Sequence, residues 1–257
     1  MSLEKIKILN LLINKDNLST LLEYAIKLIE EKEKFYVCAP NAFLTVKANE
    51  DKQLLKIINE AAIVVPDGMS SIWVAKKFKS LNLERISGYD FFYEFSKIAD
   101  KKHLSYFFLG GKNQDVLIKI KSKLKVEFEN IDVKGFFSPP FYTNEMPDEV
   151  NKSVIKMIND LNPDVLWVGL SSPKQEKWIY ENIKKIDIKM ACAVGAVFDF
   201  YSGEIKRAPV WMQKIWLEWL FRMLMEPRRL FKKYLIYNNK FMMLVFKDFI
   251  NKKFKIK

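Results

Sequence analysis

Short runs of β-branched and aromatic residues alternate with longer segments of helical periodicity along most of the chain. The runs predict strands at Ile6–Ile13, Phe35–Ala39, Ile63–Val65, Ser105–Leu109, Val133–Phe137, Val165–Leu170 and Met190–Val194. The periodic segments predict helices at Leu18–Glu31, Phe43–Glu60, Tyr89–Ala99, Asp115–Leu124, Asp148–Leu161 and Pro173–Ile183. Because strands that alternate with helices form βαβ units, the predicted fold class is α/β, with a doubly wound, mostly parallel, Rossmann-like sheet.

The pattern changes in the C-terminal part of the chain. A tryptophan-rich helix is predicted over Ala208–Met225 and is stopped or kinked by Pro227. A second helical stretch then runs from about residue 228 to residue 250. We therefore divide the chain into an α/β domain, residues 1–203, and a helical appendage, residues 204–257.

The positive charge of the chain is concentrated in this appendage. The whole chain carries a net charge of +12, of which residues 206–257 hold +11, so residues 1–205 are close to neutral. Four of the five arginines lie between positions 207 and 229. The planar guanidinium suits phosphate better than the ammonium of lysine does, so the arginines indicate a binding site for an anionic group.

Other sequence features bear on where the chain works. No apolar run is long enough to span a bilayer, and the first residues do not have the pattern of a signal peptide. Cys38 and Cys192 each lie within an apolar run and are interpreted as buried, reduced side chains. We therefore expect a cytoplasmic location.

Residues that follow the predicted strands form the candidate site, because ligands of open parallel sheets bind beyond the carboxyl ends of the strands. Small, polar or acidic residues recur there: Asn41, Asp67, Gly110, Gly111, Lys174, Gln175 and Asp199. Since loops are polar in general, this recurrence by itself only moderately favours a binding site.

Several kinds of chemistry lose support from the sequence. There is no Gly-rich phosphate loop of the Walker type and no G-x-G-x-x-G fingerprint. His103 is the only histidine and precedes a strand, at the end of the sheet opposite the candidate site. No His/Cys cluster suits zinc, and no D-x-D pair could hold a divalent ion. We therefore expect no metal cofactor, a carboxylate as the acid–base group, and positive charge from side chains.

Asp67 is the best candidate for that carboxylate, because it follows a buried strand and precedes Gly68. The alternative interpretation is an N-cap of the next helix. The start of the helix at Lys174 and Gln175 suits a diphosphate, but a capped surface helix explains it equally well. Asp199 is either catalytic or a structural anchor for the loop before the appendage.

Arg85 and Asp90 lie on either side of Ser87-Gly88-Tyr89. We interpret them as an ion pair that fixes the start of a helix, in preference to a role in binding.

Taken together, several segments resemble one bacterial family of glycosyltransferases, the TagA/WecG/CpsF family. The resemblance extends from about residue 35 to residue 235, and its most specific segment is the block PKQEKW. The segments that carry it are 64–69 (VVPDGM), 84–90 (ERISGYD), 168–179 (VGLSSPKQEKWI), 195–203 (GAVFDFYSG), 206–213 (KRAPVWMQ), 217–222 (LEWLFR) and 226–229 (EPRR).

The resemblance implies inverting, metal-independent transfer of a sugar similar to N-acetylmannosamine, from a UDP-sugar to a sugar linked to polyprenyl diphosphate. The reaction would serve the assembly of a cell-surface polysaccharide or teichoic acid, with the enzyme peripheral on the inner face of the cytoplasmic membrane. The implied base is Asp67. The implied substrate-binding residues are Asn41 and Gln175, with Arg222, Arg229 and Lys232 completing the site from the appendage. One position departs from the pattern, since Ala39 stands where some members have threonine.

Two alternatives for the appendage remain open. The first alternative is a nucleic-acid-binding module, which the near-neutral charge of the α/β domain (the body of the chain) disfavours. The second is an oligomerisation element whose tryptophans pack in an ordinary core, but this alternative leaves the arginines unexplained. The sequence does not identify the donor sugar, the acceptor sugar, the polymer or the oligomeric state.

Overall fold

The structure is a computed structural model that describes residues 3–140, 142, 145–214 and 217–254, with backbone only for residues 214, 229 and 251–254. The strands are β1 (Lys5–Ile8), β2 (Leu11–Asn14), β3 (Phe35–Cys38), β4 (Ile63–Val64), β5 (Ser105–Gly110), β6 (Asp132–Phe137), β7 (Val165–Gly169) and β8 (Met190–Ala193). The helices are α1 (Leu18–Glu30), α2 (Ala42–Glu50), α3 (Lys52–Glu60), α4 (Met69–Lys79), α5 (Gly88–Lys101), α6 (Gln114–Glu127), α7 (Asp148–Leu161), α8 (Lys174–Asn182), α9 (Val197–Tyr201), α10 (Val210–Lys214), α11 (Glu218–Met225) and α12 (Pro227–Phe254).

Strands β3 to β8 form one parallel sheet in the order β4-β3-β8-β7-β5-β6. Helices cover both of its faces, and alternate residues of each strand enter two separate hydrophobic clusters. Tyr36 and Cys38 of β3 belong to one cluster, while Phe35 and Val37 belong to the other. Burial on both faces explains why strands β3, β7 and β8 are entirely apolar and β5 nearly so, whereas the edge strand β6 has exposed polar residues. The predicted α/β class with a doubly wound sheet is thus confirmed.

The first predicted strand, Ile6–Ile13, is wrong. The segment folds back on itself as an antiparallel hairpin of β1 and β2, which forms a sheet of its own outside the parallel one. Leu9 takes a left-handed conformation with φ 54° at the turn. Leucine rarely adopts this conformation, so Leu9 gave no signal for the turn, and Asn10 beside it is the residue typical of turns.

The predicted helix Phe43–Glu60 is two helices, α2 and α3, separated at Asp51. The Asp51 side chain accepts hydrogen bonds from the backbone N–H of Gln53, at 2.9 Å, and of Leu54, at 3.1 Å. These bonds satisfy amides that an uninterrupted helix would bond to its own carbonyls, so they start a new helix. Two further helices of the α/β domain, α4 and α9, lie outside the helical ranges predicted from the sequence.

The predicted helix Ala208–Met225 is also divided, into α10 and α11, with residues 215 and 216 outside the described part. Pro227 is the first residue of α12, where its fixed φ and missing N–H are tolerated. Helix α12 packs along α2 of the body, burying Phe241 and Val245. Phe43 of α2 contacts Tyr237 of α12 edge to face, with ring centroids 4.6 Å apart. The division of the chain into domains at residue 203 stays a prediction.

Candidate active site

A cavity of about 1090 Å³ lies at the carboxyl edge of the parallel sheet. Residues after each of the six strands line it, since all the strands run in the same direction: Ala39, Asp67, Gly111, Pro139, Ser171 and Gly195. The appendage forms the opposite wall through α11 and α12, with Trp219, Leu230, Tyr234 and Phe241 among the lining residues. Neither unit forms this cavity by itself.

Asp67 lies in the cavity wall, three residues after the end of β4. Burial raises the pKa of its carboxyl from the ordinary value of 3.8 to about 6. The charge of Arg85 opposes the increase, that of Glu218 adds to it, and Arg222 opposes it again. Gly68, with φ 101°, is the N-cap of α4 and no side chain caps that helix, so the N-cap interpretation of Asp67 is wrong. The carboxylate is therefore available to a ligand in the cavity.

A network of ion pairs joins the body to the appendage beside Asp67. The Arg85 guanidinium pairs with Glu218 at the start of α11. Arg207 pairs with Asp90 at 2.8 Å and with Glu218 at 3.3 Å. These side chains are largely buried, and each charge has an opposite partner, which offsets the cost of desolvation. The network ties α11 to the loop before α5.

The predicted ion pair between Arg85 and Asp90 is therefore wrong. Arg85 pairs with Glu218 and Asp90 with Arg207, both of which belong to the appendage. Asp90 does fix the start of a helix, because it forms a capping box with Ser87 at the N-terminus of α5. Although burial opposes ionisation, hydrogen bonds from Arg207 and Ser87 hold the pKa of Asp90 below its usual value.

The three basic residues of the appendage that were predicted to bind substrate do not all lie at the cavity. Arg222 of α11 lines the cavity, with its guanidinium 5.0 Å from the ring centroid of Phe200. Its Nε is buried without a hydrogen-bond partner in the described part of the chain. Lys232 is exposed and is not in the cavity wall, whereas Lys233 is, 3.7 Å above the Phe43 ring. Arg229 belongs to α12, but its side chain lies outside the described residues.

The start of α8 reaches the cavity with Lys174 and Gln175. No side chain caps this helix: Pro173 is the N-cap residue, and the Ser172 hydroxyl bonds to Glu176 at 2.8 Å. The Lys174 ammonium donates to the Tyr142 carbonyl at 2.8 Å, which holds it at the cavity wall. The alternative of a side-chain-capped helix is therefore wrong, and the anion site at the start of α8 stays a prediction.

Asn41 and Gly111 also line the cavity, but Gly110 does not. The Asn41 side chain caps α2 by accepting a hydrogen bond from the backbone N–H of Leu44 at 3.2 Å. Gly110 lies against β7, where an added Cβ would stand 2.4 Å from the Gly169 carbonyl oxygen. A side chain there would separate β5 from β7, so the requirement for glycine at position 110 is explained by packing.

Asp199 lies in α9 and lines the cavity. Its carbonyl accepts hydrogen bonds from the Ile205 N–H at 3.0 Å and from the Ser202 hydroxyl at 3.2 Å. The backbone of Asp199 therefore anchors the loop before the appendage, as the structural interpretation expected, and the residue also lines the cavity.

Among the residues that the structure describes, no three His, Cys, Asp or Glu side chains come together as metal ligands. No helix within the same residues is long and apolar enough to cross a bilayer.

Sequence reasoning missed Glu218 and Lys233. Glu218 did have a signal, because it is one of only four acidic residues in the basic appendage and stands one helical turn before Arg222. Lys233 had none, since only the rotation of α12 about its axis decides which of two adjacent lysines faces the cavity.

A carboxylate of raised pKa beside arginines, in a large cavity at the carboxyl edge of a parallel sheet, is the arrangement expected of an active site in an α/β enzyme. The chain belongs to the glycosyl transferase WecG/TagA/CpsF family, whose sequence profile matches residues 6–255. The resemblance inferred from the sequence motifs is confirmed.

Two proteins similar to the chain are both named N-acetylglucosaminyldiphosphoundecaprenol N-acetyl-beta-D-mannosaminyltransferase. The protein from Bacillus subtilis (strain 168) is 29% identical over 238 residues, which are 92% of this chain and 89% of that protein. The protein from Staphylococcus aureus (strain MW2) is 28% identical over 201 residues, 78% of this chain and 76% of its own. These similarities support a glycosyltransferase role for the chain.

Proposed function

We propose that the chain transfers an N-acetylmannosamine-like sugar from a UDP-sugar to a sugar linked to polyprenyl diphosphate, with inversion at the anomeric carbon and without a metal ion. The observation that carries the proposal is the position of Asp67, a largely buried carboxylate in a cavity that also holds Arg85, Arg222 and Lys174. The names of the relatives supply the sugar and the lipid carrier.

Asp67 acts as the general base in this proposal. A group with a pKa of about 6 is largely ionised at pH 7 and still accepts a proton readily, which is the condition for efficient base catalysis near neutral pH. Asp67 removes the proton of the acceptor hydroxyl as that oxygen attacks the anomeric carbon. The bond from that carbon to the diphosphate oxygen breaks, and UDP leaves with the bonding electrons. A single displacement of this kind inverts the configuration.

The leaving diphosphate needs positive charge, and the cavity wall supplies it from both units of the chain. Lys174 stands at the start of α8, while Arg222 and Lys233 come from the appendage. Arginine can bind a diphosphate with two parallel hydrogen bonds, which stabilise charge that develops as the bond breaks. Since the appendage closes the cavity, its docking also excludes water, which would otherwise compete with the acceptor.

An exposed apolar stripe on α12 suits the surface of a membrane. Its members, Phe231, Leu235, Met242 and Phe246, are offset by 4, 11 and 15 residues, which places them on one side of the helix. Lysines of the basic appendage flank the stripe and favour anionic lipid. Met242 also lines the cavity, so a lipid-linked acceptor can enter the cavity at that point. We infer peripheral association with the inner face of the cytoplasmic membrane.

Incubation of the purified chain with UDP-N-acetylmannosamine and polyprenyl-diphosphate-linked N-acetylglucosamine tests the reaction. We expect release of UDP, a β-linked disaccharide by NMR, and no loss of rate in EDTA. A product with the anomeric configuration of the donor excludes the single displacement. A rate that EDTA abolishes and Mg²⁺ restores excludes the metal-free mechanism.

Co-sedimentation with phosphatidylglycerol vesicles tests the membrane surface. We expect the double variant Phe231→Ser, Phe246→Ser to bind much more weakly than the unchanged chain. The matched control is Val126→Ser, which removes an exposed apolar side chain of the body, at α6. Equal binding by all three proteins contradicts the proposal, and loss of a dimer in the double variant instead assigns the stripe to a second copy of the chain.

A further inference from the structure

Gln175 lies in the cavity wall with an amide oxygen that has no partner. The residue is only 3% exposed, and its Oε1 is buried without a hydrogen bond in the described part of the chain. A buried acceptor without a donor is costly, so such atoms in native structures usually await a ligand or a water molecule. The side chain faces Gly195, where an added Cβ would lie 3.7 Å from both amide heavy atoms and near no other group. The amide therefore borders the cavity at Gly195, which also lines it.

The other end of the Gln175 amide is held by two oxygen atoms. Its Nε2 donates to Oε1 of Glu176 at 2.9 Å and to the Ser172 hydroxyl oxygen at 3.2 Å. The Ser172 hydroxyl donates its only proton to the same Glu176 oxygen, at 2.8 Å. It can therefore only accept from Gln175. Both neighbours of the Nε2 atom are acceptors, and a flipped amide would place its oxygen against two other oxygens.

We propose that Glu176 and Ser172 are positioning residues that lock the Gln175 amide with its carbonyl oxygen toward the cavity, where it recognises an N–H group of the nucleotide-sugar. This inference rests on the proposed UDP-sugar donor and specifies one hydrogen bond by which the chain would recognise that donor. A fixed amide matters most for a group that only donates, because a hydroxyl can rotate its proton and bond to either end of the amide. UDP-N-acetylmannosamine has two such groups, the imide N–H of uracil and the acetamido N–H.

Burial of the Glu176 carboxyl is consistent with this role. The side chain is 1% exposed and does not line the cavity, so it acts on the substrate only through Gln175. Burial raises the pKa of Glu176, and hydrogen bonds from Gln175 and Ser172 oppose the increase. Its Oε1 accepts both hydrogen bonds whether or not the other oxygen carries a proton.

The test measures the affinity of the full-length chain for two pairs of ligands by calorimetry. UDP is compared with 3-deaza-UDP, in which C–H replaces the imide N–H. UDP-N-acetylmannosamine is compared with its ketone isostere, in which CH₂ replaces the acetamido N–H. In the unchanged chain we expect one pair to show a preference of about tenfold for the N–H ligand, the value of one buried hydrogen bond.

The variant Glu176→Met removes both acceptor oxygens and frees the Ser172 proton, so that either orientation of the amide is satisfied. We expect the preference to fall below about twofold, while Glu176→Gln, which keeps one oxygen in place, restores most of it. Glu176→Leu provides the same test if the methionine variant fails to fold. The matched control is Glu181→Met, an exposed glutamate on the same helix, which should keep the full preference.

The outcomes separate this inference from the proposed function. A preference that Glu176→Met leaves unchanged overturns the positioning role, as does the absence of any preference in the unchanged chain that still binds UDP. If the unchanged chain binds neither nucleotide, the UDP-sugar donor is wrong and the inference falls with it.

Discussion

Replacing Asp67 with asparagine should abolish most of the activity and at the same time stabilise the fold. Burial raises the pKa of this carboxyl from 3.8 to about 6, so the folded protein resists its ionisation. A difference of this size between the unfolded and folded pKa corresponds to about 3 kcal/mol. Asparagine has a similar shape and no charge, so the variant avoids the cost of ionising a buried acid.

The sign of this effect sets its pH dependence. Below pH 3.8 the carboxyl is protonated in both the folded and unfolded states, and the free energy of unfolding gains nothing from the substitution. As the pH rises, ionisation favours the unfolded state, and the penalty is complete above about pH 6. We therefore expect Asp67→Asn to unfold at higher urea concentration than the unchanged chain at pH 8, by about 3 kcal/mol. At pH 5 the difference shrinks to roughly half that value.

The activity is expected to change in the opposite direction. Loss of a general base typically costs about 10²–10⁴ in rate, and release of UDP by Asp67→Asn should fall by this factor. In the unchanged chain, kcat should rise with pH through a midpoint near 6 as Asp67 loses its proton. Asp132→Asn, at the opposite end of the sheet, controls for removal of an exposed carboxylate. Equal stability of Asp67→Asn and the unchanged chain at pH 8, or full activity of the variant, would refute the assignment.

Three further predictions concern the appendage and the glycines. Glu218→Gln should shift the midpoint of the pH–rate profile downward, because the Glu218 charge raises the pKa of the base; an unchanged midpoint contradicts this. Gly110→Ala should prevent folding or greatly lower the melting temperature, since its Cβ would stand 2.4 Å from a strand carbonyl; Gly203→Ala, with open space around it, should cost only about 1–2 kcal/mol. Phe241→Ala should cost about 3–5 kcal/mol of packing and expose the appendage to limited proteolysis, whereas exposed Phe246→Ala should leave cleavage unchanged.

The amino-acid sequence by itself determined the α/β class and six of the seven predicted strands, because strands buried on both faces must be almost entirely apolar. It also determined the family and the position of Asp67 at the end of β4. Asp51 is a residue type that often caps helices, but the helical pattern continues across it in the sequence. Only the hydrogen bonds of its side chain show that one helix ends and another begins there. The turn at Leu9 and Asn10 was signalled only by Asn10, and the apolar residues on both sides of it predicted a single strand instead.

Only the tertiary structure decided how the appendage meets the body. Arg85 and Asp90, five residues apart in the sequence, each pair with charges more than a hundred positions away, because α11 docks beside the loop that holds them. The rotation of α12 likewise placed Lys233 in the cavity wall and left Lys232 in solvent. Local sequence patterns indicate the secondary structure and burial of residues that are close in the sequence. The electrostatics of this site depend instead on charges that come together only on folding.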